Sequence, residues 1–127
     1  MRQITFIFFS LVTISCTKKT DPNISFIQWN MTNVEGGLTG RANQSLALTV
    51  YWPYTSGSCD VLDNFEETKQ GNIISIKAYG HSNGGICTDD AGIKTKIYNF
   101  ISATSGTFEL RFINKDNSFI SRFITIN

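Results

Sequence analysis

The residues that could carry chemistry in this chain are three cysteines, one histidine and several acidic side chains in turn-rich sequence. Cys59 and Cys87 stand in "TSGSCD" and "NGGICTDD", and Cys16 directly follows a long apolar run. Three cysteines leave one thiol without a partner wherever disulfides form. A metal site would need more ligands than His81 adds to these cysteines, so we predict no metal.

The sequence predicts no catalytic residue, no enzyme activity and no cofactor. His81 has Ser82 beside it in "YGHSNGG", but a nucleophile and its base must converge from separate elements. Glu66 and Glu67 are adjacent, so on a strand they point to opposite sides and do not form the paired carboxylates of a glycosidase. An enzyme would require His81 in a deep cleft beside a carboxylate and a hydroxyl.

The first 15 residues predict an export signal. Arg2 supplies a positive start, and residues 4–14 are apolar apart from two threonines and one serine. This run is shorter than the roughly 20 residues that span a bilayer and suits the apolar region of a signal peptide. A buried strand in the folded domain is the alternative for the same run.

Ser15, Cys16 and the polar "TKKTD" that follows resemble the end of a bacterial lipoprotein signal of the Bacteroidota type. The resemblance implies cleavage before Cys16, acylation of its sulfur and anchoring in a membrane. Two or three acyl chains anchor stably, since each buried methylene contributes about 0.8 kcal/mol. The predicted organisation is a signal at 1–15, a lipidated cysteine and tether at 16–23, and one domain at 24–127. An ordinary secretory signal cleaved near Ser15 is the alternative.

With Cys16 assigned to lipid, Cys59 and Cys87 form an even pair in an exported protein, so we predict a disulfide between them. Both lie beyond the ends of predicted strands, so the bridge should join loops rather than cross the core. On the chain-entropy model, a closed segment of this length contributes about 3 to 4 kcal/mol of stability.

The predicted bridge brings four aspartates near one another, and oxygen ligands of this kind suit calcium. They are Asp60, Asp63, Asp89 and Asp90. Their spacing matches no EF-hand loop, and the alternative is that they are simply solvated.

The stretch "YWPYTSG" offers a possible ligand surface in Tyr51 and Tyr54, because aromatic rings with a polar group suit protein interfaces and sugar faces. Trp52 continues an inward-facing series from Leu46 and is expected in the core.

Short runs of alternating apolar and polar residues dominate the chain after residue 23. The clearest are "SLALTVYW", "NIISIKAY" and "TFELRFI", each of which predicts a half-buried strand. Weaker candidates are "ISFIQW", "KTKIYNFI" and "SFISRFITI", with a hairpin at "NKDN". "DVLDNFEETK" is compatible with one helical turn. Six or seven short strands in about 100 residues predict an antiparallel β-sandwich, since two sheets bury each other's apolar faces.

Two of these runs resemble strands of immunoglobulin-like domains. In "SLALTV", Val50 stands where that family's first cysteine often lies, and in "TSGTFEL" Phe108 and Leu110 take the tyrosine-corner and second-cysteine positions. The resemblance covers about a dozen residues and implies an immunoglobulin-like antiparallel β-sandwich of about seven strands.

The charge balance excludes one class of partner. Eleven Lys and Arg against ten Asp and Glu give a net charge of +1, without the basic stripe that nucleic-acid binding needs. We therefore predict a lipid-anchored, non-catalytic binding module of a bacterial cell envelope, at the outer membrane or cell surface, with an envelope protein or a glycan as partner. The alternative is an inhibitor or immunity-type protein that blocks a hydrolase through a loop such as "GHSNGGICTDD".

Overall fold

The computed structural model describes residues 26–127, which form nine strands. The strands are β1 (Ile27–Trp29), β2 (Asn33–Gly36), β3 (Thr39–Gly40), β4 (Leu46–Tyr54), β5 (Asp60–Gln70), β6 (Ile73–Ser82), β7 (Gly92–Phe100), β8 (Gly106–Ile113) and β9 (Phe119–Ile126). Residues 26–127 contain no helix that could span a lipid bilayer. The predicted signal, Cys16 and the tether lie outside the described residues, so they stay predictions.

The strands form two sheets that pack face to face. The smaller sheet has β4 at its centre, with β2 and β7 antiparallel on either side. The larger sheet is centred on β6, which pairs with β5 along one side and with β1 and β8 along the other. From β8 the larger sheet continues to β9 and then to β3. This all-β, two-layer architecture confirms the predicted β-sandwich.

Two strand pairings differ from the antiparallel prediction. β3 is parallel to β9, and β6 is parallel to β8. The second arises because the chain leaves the larger sheet after β6, runs back through the smaller sheet as β7 and re-enters the larger sheet as β8. The nine strands exceed the predicted seven because β2 and β3, of four and two residues, are too short to show a period, and because β5 was considered only for a helical turn.

The segment considered for a helical turn is instead β5, an eleven-residue strand. Its pairing with β6 carries a bulge between Leu62 and Asn64. The extra residue shifts the alternation by one position, which hides the period of a strand in the sequence. Pairing along the whole length of β6 outweighs the weak helical preference of this segment.

The core lies between the inner faces of the two sheets. Trp52 is 2% exposed, which confirms its predicted place in the core. The alternate residues of β4, β6 and β8 supply most of the other buried side chains, among them Leu48, Val50, Ile74, Ile76, Ala78, Phe108, Leu110 and Phe112.

Candidate functional site

Cys59 and Cys87 form a disulfide that joins two loops at one end of the sandwich, as the sequence predicted. Their Cα atoms are 5.6 Å apart, which is an ordinary spacing for a disulfide. Cys59 directly precedes β5, and Cys87 lies in the connection from β6 to β7. We call residues 55–59 and 83–91 the loop pair.

Reciprocal hydrogen bonds join the loop pair beside the disulfide. The N–H of Ser58 donates to Thr88 Oγ1 at 3.1 Å, and the N–H of Thr88 donates to Ser58 Oγ at 2.8 Å. The N–H of Gly57 donates to Asp90 Oδ1 at 2.9 Å. Hydrogen bonds from the Thr88 hydroxyl and from Gly57 lower the pKa of Asp90. The loop pair is therefore fixed by polar contacts as well as by a covalent bond.

Asp60 is a buried carboxylate beneath the loop pair and is 3% exposed. Its Oδ2 accepts hydrogen bonds from the N–H groups of Thr55 and Ser56 at 2.8 and 3.0 Å and from the Thr55 hydroxyl at 3.1 Å. Its Oδ1 accepts from the Ser82 hydroxyl at 2.7 Å. Burial alone raises the pKa of a carboxyl, but here these hydrogen bonds outweigh burial and lower the pKa of Asp60 to about 2. The ionised carboxylate orders the turn from β4 into β5.

The four aspartates near the bridge do not converge on one point. Asp60 binds the turn beneath the loops, Asp63 Oδ2 lies 2.6 Å from His81 Nδ1, and Asp90 accepts from the facing loop. Within residues 26–127, no group of three or more His, Cys, Asp or Glu side chains is placed to hold a metal ion. In this part of the chain, the aspartates therefore do not form a set of ligands for calcium.

Ile86 is fully exposed at the tip of the longer loop, next to Cys87. Gly84 and Gly85 precede it, and the φ of Gly85 is 114°, a region that favours glycine. An isoleucine presented on a disulfide-held loop is an apolar contact point that loses little conformational freedom on binding. The sequence pointed to this loop but not to Ile86, because a single loop residue belongs to no periodic pattern.

Tyr51 and Tyr54 lie on opposite faces of the smaller sheet. The Tyr51 hydroxyl points outward and donates to Glu35 Oε2 at 2.8 Å, and this hydrogen bond raises the pKa of Tyr51. Tyr54 lies on the inner side with Trp52, their ring centroids 6.4 Å apart. Residues three apart on a strand point to opposite sides. The two tyrosines therefore do not share one surface, and each stays a separate predicted contact residue.

An aromatic cluster with a cation supports the loop pair from below. The ring centroids of Trp29 and Trp52 are 5.1 Å apart. Lys94 Nζ lies 4.8 Å from the Tyr54 ring centroid, a cation–π distance. The same Nζ donates to two backbone carbonyl oxygens at the β4–β5 connection, at 2.7 and 3.0 Å. Lys94 therefore ties β7 to the base of the loop pair.

His81 lies beside a carboxylate but not beside a nucleophile. Asp63 is the extra residue of the β5 bulge, and its carboxylate is the hydrogen-bonding partner of the His81 ring. The Ser82 hydroxyl donates to Asp60 instead. Both members of the His81–Asp63 pair are partly exposed, and in the described part of the chain no hydroxyl is hydrogen-bonded to the ring. The arrangement lacks the third member that nucleophilic catalysis requires.

A cleft of about 220 Å³ lies at the opposite end of the sandwich, between the β5–β6 hairpin and the β7–β8 connection. Lys69 and Asn72 line its rim, with Phe100 and Phe108 among its apolar residues. It holds none of the sequence-predicted site residues, and it is smaller than the usual 300 Å³ or more of a ligand pocket. The loop pair is therefore the better-developed candidate.

No protein-family model, no curated protein and no solved structure matches this chain. The function must therefore be inferred from the geometry of its own residues.

Proposed function

We propose that this protein is a lipid-anchored, non-catalytic binding module of a bacterial cell envelope that contacts its partner through the loop pair. The observation that carries the proposal is the full exposure of Ile86 on a loop held by the Cys59–Cys87 disulfide. Polar residues surround it, with Asn83 before it and Asp89 after it, both exposed. An apolar centre with a polar rim is the composition of a protein contact site.

Binding through the loop pair is tested with the immobilised full-length protein and an envelope extract. The wild type should retain one partner in stoichiometric amount, and Ile86→Asp should lose it, because a charge at the apolar centre cannot be desolvated without cost. The matched control is Phe123→Asp, the same kind of change at an exposed residue of the larger sheet. Equal retention by both variants contradicts a role for the loop pair.

The anchor is tested separately by metabolic labelling with a fatty acid. The wild type and a Thr17→Ser control should both be labelled, and Cys16→Ser should not. Equal labelling of Cys16→Ser and the wild type refutes the anchor without affecting the binding proposal.

Inhibition of a hydrolase is the second candidate, favoured by the same constrained loop tip. If the retained partner is a hydrolase, its activity should fall in proportion to the amount of wild-type protein added. The same amounts of Ile86→Asp should leave the hydrolase activity unchanged. A partner whose activity is unchanged favours simple binding. Signal on a glycan array that survives Ile86→Asp contradicts both versions and favours a sugar as ligand.

An immunoglobulin-like relationship of the sandwich is also a proposal. It is supported by Val50 on β4 and Leu110 on β8, which are both fully buried in facing sheets, at the two positions matched to that family's cysteines. The parallel pairing of β6 with β8 departs from an antiparallel sandwich. The proposal therefore concerns the β4 and β8 strands rather than the full strand order.

A further inference from the structure

β7 forms a free edge of the smaller sheet. It is nine residues long and pairs only with β4. On the side of β7 that faces away from β4, no backbone hydrogen bond joins residues 92–100 to any other described segment. The strand therefore presents unpaired N–H and C=O groups, which are a template for another strand.

The other edges of the two sheets are shorter or charged, and β9, which β3 covers only at Thr125 and Ile126, carries Arg122 on its uncovered part. β1, β2 and β3 have two to four residues each. β5 is long, but it carries a bulge and the exposed charges of Glu66, Glu67 and Lys69. Short strands, bulges and charges are the features that protect natural sheet edges from pairing. β7 is nine residues long and has no bulge, and its two charged residues, Lys94 and Lys96, both lie on the inner side.

Three exposed isoleucines follow the outer side of this edge. Ile93, Ile97 and Ile101 are 60%, 52% and 56% exposed, and Ile101 directly follows the strand. Thr95 and Asn99 lie between them on the same side. The outer side of the edge therefore has no charged residue and is apolar at every second position of this series.

The lysines on the inner side of β7 select how two copies can pair. A two-fold axis through the sheet pairs two copies of one strand antiparallel, with residues of the same face opposite each other. An axis at residue 94, 95 or 96 places Lys94 or Lys96 opposite a lysine of the second copy, which is unfavourable. An axis at Ile97 places Lys96 opposite Tyr98 of the second copy and removes this repulsion.

The isoleucines favour the same axis. An axis at Ile97 places Ile97 opposite its own copy and Ile93 opposite Ile101. An axis at residue 98 also separates the lysines, but it places Ile97 opposite Asn99 and Ile101 opposite Thr95. Apolar pairs across strands stabilise a sheet more than mixed pairs do. Charge and apolar contact therefore both favour Ile97 as the centre.

We infer that this protein pairs with a second copy of itself through β7, antiparallel and centred on Ile97. The two three-stranded sheets become one six-stranded sheet, joined by backbone hydrogen bonds over residues 94–100 of each copy and covered on the outside by isoleucine contacts. The inference depends on neither the lipid anchor nor the loop pair.

Single cysteines test the register. The full-length chain is purified in detergent with Cys16→Ser, and Ile97→Cys or Thr95→Cys is added. Facing residues in antiparallel strands have Cα atoms about 4.5 to 5.5 Å apart, within reach of a disulfide. Mild oxidation should link Ile97→Cys into a reducible dimer and leave Thr95→Cys monomeric. The double variant Thr95→Cys with Asn99→Cys should regain the link, because these positions face each other.

Sedimentation tests the association itself. The Cys16→Ser chain should be a dimer, Ile97→Arg should raise the dissociation constant by about tenfold or more, and Phe123→Arg should leave it unchanged. Circular dichroism must show the same β fold for all three. A monomeric chain at about 100 μM, equal linking of Ile97→Cys and Thr95→Cys, or a dimer insensitive to Ile97→Arg overturns the inference. An extended peptide of another protein bound to β7 of a monomeric chain overturns it as well.

Discussion

Replacing the buried carboxylate of Asp60 should destabilise the fold in a pH-dependent way. Asp60→Asn keeps the size of the side chain and removes its charge. The native carboxylate accepts four hydrogen bonds, from Thr55 twice and from Ser56 and Ser82 once each. The amide oxygen of asparagine can accept the three bonds made to Oδ2, but the NH2 group that replaces Oδ1 cannot accept from the Ser82 hydroxyl. Hydrogen bonds to a neutral group also stabilise less than those to a charged one.

The size of the effect follows from the pKa of Asp60, which is lowered from its usual value of 3.8 to about 2. A shift of this size corresponds to about 2 kcal/mol, and screening by the solvent above the loop reduces this to about 1–2 kcal/mol. The folded-state pKa is the lower one. The stabilisation is therefore fully present above pH 3.8 and is lost as the pH falls through about 2.

Urea unfolding of the wild type and of Asp60→Asn, at neutral pH and at about pH 2.5, measures the difference in the free energy of unfolding and its change with pH. At neutral pH the variant should lose about 1–2 kcal/mol, and at about pH 2.5 the difference should fall to less than half. Asp89→Asn is the matched control, since Asp89 is exposed on the loop pair. A loss of the same size at both pH values, or the same loss in the control, contradicts a stabilising role for the Asp60 charge.

Two further changes test the disulfide and the packing of β6. Reduction of the Cys59–Cys87 bridge should lower the free energy of unfolding by about 3 to 4 kcal/mol, since the bridged residues are 28 apart in sequence; an unchanged urea midpoint with reductant contradicts this. Gly80→Ala should cost about 2–4 kcal/mol, because an added Cβ would lie 1.9 Å from the Val61 carbonyl oxygen. Gly84→Ala, with nothing within 4 Å, should stay within about 0.5 kcal/mol. Similar melting temperatures for the two alanine variants would rule out the steric argument.

The sequence predicted those strands whose side chains alternate without interruption. β4, β6 and β8 each bury one face against the other sheet, so their apolar residues recur at every second position. β5 was not predicted as a strand because one extra residue at the bulge breaks this period. The parallel pairing of β6 with β8 was also unpredictable, because it depends on β7 running through the other sheet rather than on any local pattern.

The candidate site was likewise predicted only in part from the sequence. The Cys59–Cys87 bridge follows from cysteine counting in a chain that is predicted to be exported, and the structure confirms the bridge. In the sequence, Asp60 is only one of several loop aspartates, and its burial depends on the N–H groups of a turn that the fold creates. The isoleucines of β7 look like core residues in the sequence, but in the structure they lie on the face of the smaller sheet that points away from the larger sheet.

The proposed anchor and the proposed pairing together constrain how the domain lies on a membrane. Ile27 pairs with Gly80 near the end of β6, so the chain enters the described fold at the loop-pair end. A two-fold axis at Ile97 places the two loop pairs at opposite ends of a dimer. Residues 16–25 extend at most about 35 Å, and β7 alone is about 30 Å long.

If the strands of such a dimer stood upright on the membrane, Ile27 of one copy would lie at the end of the dimer away from the membrane. Residues 16–25 of that copy would then have to extend almost fully to reach the bilayer. If the two-fold axis stood perpendicular to the membrane, both points of entry would lie at the same height, and both anchors would insert without strain. The second orientation therefore satisfies both proposals with less extension of the chain. It directs the two Ile86 tips sideways from opposite ends of the dimer, so a partner bound through the loop pair would approach along the membrane surface.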